Sequence, residues 1–239
     1  MKIRYSFGSH GITGLLIAAV VGACGAPSVS DRLEGAGGAG GSEALGSTEL
    51  GLCSIMDPGS STGTGTGGQF CPGGYDPTLK AVECADFVSS CDSGGHLQGR
   101  GPVGNERMQP STIHDSCKDG TAGQYLDDES IERLTVSAPD NSIMAAGKTV
   151  RVDASVYAWS TPALDTLDLY YAANANSPSW TLIRSITPAA AGLQTLTATY
   201  VLPTGSLQAV RANFRYRGAP SPCSPGPYDD HDDIVFRVR

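Results

Sequence analysis

The sequence predicts a mainly β protein: an immunoglobulin-like antiparallel β-sandwich of about seven strands, preceded by a small disulfide-rich segment and a flexible tether. Apolar and polar residues alternate with period two through the C-terminal half, and clusters of Gly, Pro, Asn and Ser punctuate the alternation, the pattern of short sandwich strands. Four of the seven cysteines fall between residues 53 and 91, where too little apolar mass is present to hold a core without cross-links. Many of the 31 glycines precede that segment, in a stretch with almost nothing to bury.

Taken in chain order, residues 1–23 have the layout of a secretory signal peptide. Lys2 and Arg4 give a positive start, the run ITGLLIAAVV over residues 12–21 is apolar but too short for a permanent span, and small residues follow. The run ends in Val21-Gly22-Ala23-Cys24, which resembles the bacterial lipobox. That resemblance implies cleavage before Cys24 and attachment of a lipid to it. The chain is then anchored to the cell envelope, and Gly25 in place of an Asp implies outer-membrane delivery. With Cys24 lipidated, an even six cysteines remain, enough for three disulfides in an oxidising compartment. Residues 24–52 then comprise the lipid anchor and a Gly-rich flexible linker.

Residues 53–116 form the disulfide-rich segment and its connector. Asp76 suits an N-cap and Pro77 a first helical position, predicting a short helix over residues 77–90 with Ala81, Cys84, Phe87, Val88 and Cys91 on one face. On such a helix Cys84 and Cys91 stand about 10.5 Å apart in rise, beyond the roughly 7 Å that a disulfide spans between Cα atoms. Each is then expected to pair with Cys53 or Cys71, in an order the spacing leaves open. The G-x-S-x-G match at residues 59–63 lacks the flanking strand and helix of a nucleophile elbow. Residues 92–116 are polar and irregular, an extended connector.

The sandwich domain is expected over residues 117–239, with strands at 131–138, 149–159, 166–172, 180–186, 194–202, 207–217 and 233–238. Val150, Val152, Val156, Leu167, Leu169, Tyr171, Leu196, Ala198, Tyr200, Val210, Ala212, Phe214, Tyr216, Ile234, Phe236 and Val238 take the inward face. Arg151, Asp153, Asp168, Thr197, Arg211, Asn213, Arg215 and Arg237 take the outward one, which raises a basic strip of Arg211, Arg215, Arg217 and Arg237 as a surface for anionic glycans. The turn-rich ANANSPS predicts a hairpin over residues 166–186.

Cys117 precedes the first of these strands and Cys223 the last, and the two are expected to pair. Their bond brings Asp119, Asp127, Asp128 and Glu129 toward Asp229, Asp230, Asp232 and Asp233. Carboxylates gathered in that way repel unless a cation lies between them. Oxygen ligands without cysteine favour Ca2+ over zinc or iron, so Asp119, Asp127, Asp128, Glu129, Asp229, Asp230 and Asp232 are the candidate metal ligands. The net charge of −8 opposes nucleic acid as a partner, since phosphates would meet a like-signed body.

The stretch from Gln109 onward, with QPSTI, SCKDG, DDES, YYAAN, SPSWTLI, LQAVRANFRYRG, SPCS and YDDHDDIVF, resembles a β-sandwich module appended to secreted proteins and candidate proteases of myxobacteria and some fungi. Related modules read YHSDES where this chain has YLDDES, so Leu126 stands for a His and Asp127 for a Ser, while Asp128 and Glu129 are kept. The resemblance implies an appended, non-catalytic role. The histidines agree with it: His10 lies in the leader, His96 and His114 in the connector, His231 in an acidic run expected to be solvated, and no H-E-x-x-H is present. Nor does the sequence reveal the aromatic cluster of a sugar cleft, Trp159 and Trp180 falling at core or rim positions. The expected function is a surface lipoprotein that binds an extracellular polymer or protein without catalysis and is stabilised by calcium. The alternatives are a structural envelope or spore-surface lipoprotein and an accessory to a secreted hydrolase.

Overall fold

A computed structural model describes residues 70–239. Cys24 with the leader and tether, Cys53 and the G-x-S-x-G match lie outside the described residues. The expected strands form as β5 (Ser130–Ser137), β6 (Thr149–Ala158), β7 (Asp165–Ala172), β8 (Thr181–Ile186), β9 (Gly192–Val201), β10 (Leu207–Tyr216) and β11 (Asp230–Arg237). They divide between two sheets, with β5-β6-β9 in one and β11-β10-β7-β8 in the other. This three-plus-four division is the Greek-key pattern of an immunoglobulin-like sandwich. All of these strands pair antiparallel, and β7 and β8 form the expected hairpin.

The period-two alternation supplies the core. Val150, Val152 and Val156 from β6 meet Leu167 and Leu169 from β7, Val210, Ala212 and Phe214 from β10, and Ile234 and Phe236 from β11 in one buried cluster. Burying each of the larger side chains is worth about 1.5–3 kcal/mol, and this face fixes the register, because a slip by one residue would turn it to solvent.

Four short strands precede this set: β1 (Phe70–Pro72), β2 (Gly74–Asp76), β3 (Ala81–Cys84) and β4 (Ser90–Asp92). They extend the same sheets, β4 pairing antiparallel with β5 and β3 pairing parallel with β11. The disulfide-rich segment is therefore built into the sandwich and contributes Val82, Cys84, Val88 and Cys91 to its core. The expected helix over residues 77–90 is absent. Asp76 caps a single turn, its carboxylate accepting the N–H groups of Thr78 at 2.6 Å and Leu79 at 2.8 Å, and Lys80, at a φ of 63°, ends that turn in the left-handed region. Without a helix the Cys84–Cys91 separation changes: their Cα atoms lie 5.7 Å apart and the two residues pair with each other, contrary to the expected bonds to Cys53 and Cys71. The Cys117–Cys223 disulfide forms as expected, with Cα atoms 5.6 Å apart.

The outer face of β10 and β11 is not open to solvent. Residues 111–117 and the segment between β10 and β11 lie over it, and Leu79, Ala81, Ile113, Ala172, Ala209 and Val235 form a second apolar cluster there. Arg211, Asn213, Arg215 and Asp168, expected on the wet face, are buried. Arg211 stacks on Trp180, 4.4 Å from its ring centre, and forms a two-pronged pair with Asp233, both N···O distances being 2.7 Å. Arg215 pairs with Asp168 at 2.6 Å. The basic strip is thereby dissolved: of its four arginines, two are buried ion pairs and Arg237 reaches Glu83 at 3.3 Å.

Candidate metal centre and binding pocket

The acidic end of the sandwich is assembled from three segments. Residues 119–122 run beside residues 227–231, with Gly120 N–H donating to Asp229 O at 2.7 Å and Ala122 N–H to Pro227 O at 2.9 Å. A Cβ on Gly120 would stand 2.2 Å from Pro227 O, so only glycine permits this approach. The third segment is the single helical turn α1 (Gly101–Gly104) and Glu106 just after it. One oxygen from each of Glu106, Asp119 and Asp230 lies within 4.8 Å of the others, and all three residues are buried.

Each of these carboxylates is oriented by one backbone N–H. Gly101 donates to Glu106 Oε2 at 2.9 Å, His231 to Asp119 Oδ1 at 2.9 Å and Ile131 to Asp230 Oδ2 at 2.6 Å. The other oxygen of each, Glu106 Oε1, Asp119 Oδ2 and Asp230 Oδ1, accepts no N–H among the described residues, the Ser111 hydroxyl and the neighbouring carboxyls being the polar groups at hand, and neither oxygen of Asp232 has a partner. Asp232 follows Asp230 on the inward face of β11 and feels Glu106, Asp230 and Asp119 as its strongest charged neighbours. Burial, then like charge, pushes Glu106 up to about 8, while burial raises Asp119 to about 6 and holds Asp230 and Asp232 well above the ordinary carboxylate range. The nearby cation is Arg100, itself buried, whose guanidinium donates to the carbonyls of Tyr228 at 2.8 Å and Ala122.

Of the seven candidate ligands, Asp119 and Asp230 come together, and Asp232 stands next on the inward face of β11, outside the 4.8 Å group. Asp127 is exposed, and Asp128 is half-buried, accepting Gln124 N–H at 2.7 Å. Glu129 turns toward Asp165, and Asp229 clamps its own loop by accepting Tyr216 N–H and Gly226 N–H, each at 3.0 Å, and the Ser224 hydroxyl. Glu106 was not among the sequence candidates: it sits in the irregular GNERM, where a lone acid carries no signal. His231, expected in a solvated run, is fully buried, and burial lowers it to about 4, so it stays neutral. Its Nε2 accepts Ser224 N–H at 3.2 Å, with Ser224 Oγ at 3.4 Å, and its Nδ1 lies 3.7 Å from Asp119 Oδ1. This Ser–His–Asp grouping ties the loop around Ser224 to β11, with all three residues buried.

Beside the acidic end an open pocket of about 140 Å3 is lined by Asp128, Glu129, Trp159, Tyr216 and Tyr228. Tyr216 meets Trp159 edge-to-face at 5.8 Å between ring centres and Tyr228 at 5.7 Å, so the rings brace one another. The backbone N–H of Trp159 donates to Asp165 Oδ2 at 2.9 Å, which fixes the main chain that carries the indole. Burial and hydrogen bonding with Asp165 push Glu129 up to about 9, leaving it a neutral carboxyl near pH 7. The expectation that no aromatic cluster is present is thus corrected, since three rings from distant segments converge. The fold defines the class, an immunoglobulin-like β-sandwich. Neither a scan against protein-family models nor a search of curated proteins finds a match to this chain.

Proposed function

We propose that the chain is a lipid-anchored display protein, attached to the outer membrane through Cys24, whose sandwich binds an extracellular glycan without catalysis. The supporting observation is the pocket, in which the braced rings of Trp159, Tyr216 and Tyr228 stand beside the acids Asp128 and Glu129. Aromatic faces stack on the C–H surface of a sugar ring, and the carboxyl of Asp128 in the same lining accepts from hydroxyls. The volume admits one ring-sized group, the scale of a single sugar unit gripped within a longer polymer. The signal peptide and lipobox reading supplies the address and the tether the reach.

Glycan-array binding of the purified exported chain, followed by titration of tryptophan fluorescence with each positive glycan, tests this reading. A saturable change that is lost in Trp159→Ala and Tyr228→Ala, with the glycan recovered uncut, is the expected result. Absence of any saturable glycan would leave a structural envelope lipoprotein in its place, and cleavage of the glycan would make the protein a hydrolase.

A further inference from the structure

We propose that Glu106, Asp119, Asp230 and Asp232 form a binding site for one Ca2+ ion, which fastens the connector around residues 100–120 to the start of β11. The inference stands apart from the glycan reading and uses only the interior of the acidic end. Three carboxylates from three chain segments converge within 4.8 Å of one another, with Asp232 next to them on β11, and all four are buried: Asp230 and Asp232 are 0% exposed, Glu106 3% and Asp119, at the edge of a surface pocket, 8%. Acids are common on surfaces without consequence, but a buried carboxylate oxygen without a donor costs free energy that a native fold must offset. Here the three clustered residues Glu106, Asp119 and Asp230 carry one such oxygen each, and Asp232, the next inward residue of β11, carries two.

Their arrangement is that of a held ligand set. In each of the first three residues one oxygen is fixed by a backbone N–H and the other is left free. Secondary contacts of this kind orient ligands toward a metal. The opposing charge is insufficient without an ion, because Arg100 is directed to two backbone carbonyls and forms no ion pair with the four acids among the described residues. A divalent cation would balance what remains. The donor set is all carboxylate oxygen, with His231 engaged through Nε2 and both nearby cysteines locked in a disulfide. That chemistry selects a hard ion over zinc or copper. Between the hard ions, Mg2+ keeps several waters in octahedral order, whereas Ca2+ accepts six to eight oxygens, carboxylates in one- or two-oxygen contact among them. A buried cage rich in free carboxylate oxygen therefore suits Ca2+.

The test is a calorimetric titration of the full exported chain, stripped with EDTA and held in detergent, using CaCl2 alone. One saturable site is expected, with a melting temperature raised by about 5–10 °C at a hundredfold excess over Kd and a much smaller rise with MgCl2. Asp232→Asn and Glu106→Gln should each weaken binding tenfold or more, while Asp127→Asn, on the exposed side, leaves it unchanged. Should the cage variants fail to fold, the wild-type titration decides by itself. No binding heat together with identical melting in CaCl2 and EDTA overturns the proposal and leaves a cage neutralised by shared protons. Loss of binding in Asp127→Asn with retention in Asp232→Asn overturns the ligand set. Neither outcome depends on whether a glycan is found.

Discussion

Replacing Asp233 by Ala should be among the most damaging single changes in the sandwich. Its carboxylate accepts Arg211 Nε and Nη2, both at 2.7 Å, and also the N–H of Ile113 at 2.7 Å. Both members of the ion pair are buried, Arg211 at 2% and Asp233 at 0% exposure. The substitution would strand a guanidinium under the second layer, with the Ser116 hydroxyl at 2.9 Å and the Pro222 carbonyl at 3.3 Å as its remaining hydrogen-bond acceptors beside the Trp180 ring. Breaking a buried pair from one side costs about 3–5 kcal/mol, which for a domain of this size lowers the melting temperature by roughly 6–20 °C. Urea unfolding of wild type and Asp233→Ala at fixed Ca2+ measures the loss. Removing both charges, as Arg211→Met with Asp233→Leu, should recover part of it, because the stranded charge is gone while Ile113 N–H stays without an acceptor. A loss below about 1 kcal/mol, the range of an exposed pair, would refute the covering layer and return Arg211 to the surface.

Stability should fall as pH rises, measured as melting temperature from pH 5 to 9 in saturating Ca2+. Glu129 has a folded value raised to about 9, so its protonated form is favoured by folding; that contribution is complete below its unfolded value near about 4.3 and is lost toward pH 9, and Glu129→Gln should flatten the slope. Removing the Cys117–Cys223 bond by paired Ser substitutions opens a loop spanning a sequence separation of 106 and should cost up to about 4–5 kcal/mol in denaturant unfolding. Gly120→Ala places a methyl 2.2 Å from Pro227 O, and the strand-like contact of residues 119–122 should separate at a cost of about 1–3 kcal/mol, read by the same assay, with Ca2+ affinity reduced alongside.

The seven main strands were legible because each carries an alternating face that fixes its register, and observed bounds lie within three residues of those expected. The same alternation misplaced Arg211, Asn213 and Arg215. A polar outer face reads as solvated, yet here the connector and the β10–β11 segment cover it, Ser116 and Ser221 accepting from Arg211 and Asn213, while Asp233 and Asp168 on the neighbouring strands pair with Arg211 and Arg215. Asp76-Pro77 misled for a related reason: the pair caps one turn as readily as a helix, and the strand propensity of Ala81-Val82 took over after Lys80. With the helix gone, the distance argument that separated Cys84 from Cys91 lost its premise. The acidic end was legible as two runs joined by a disulfide, which located Asp119, Asp230 and Asp232. Strand alternation then decides the rest, sending Asp230 and Asp232 inward and His231 and Asp233 to the other face. Glu106 and the aromatic pocket required the tertiary path, since Trp159 after β6, Tyr216 at the end of β10 and Tyr228 in the loop before β11 meet only once the two sheets are packed.

Hydrogen exchange read by mass spectrometry tests most directly whether the N-terminal segment and connector are structural parts of the sandwich. Peptides over residues 81–92 and 111–120 should exchange as slowly as those over residues 130–158, since their amides are held by β11, β5 and Asp233. Exchange of those two stretches at the rate of an unfolded chain, beside a protected core, would contradict the account.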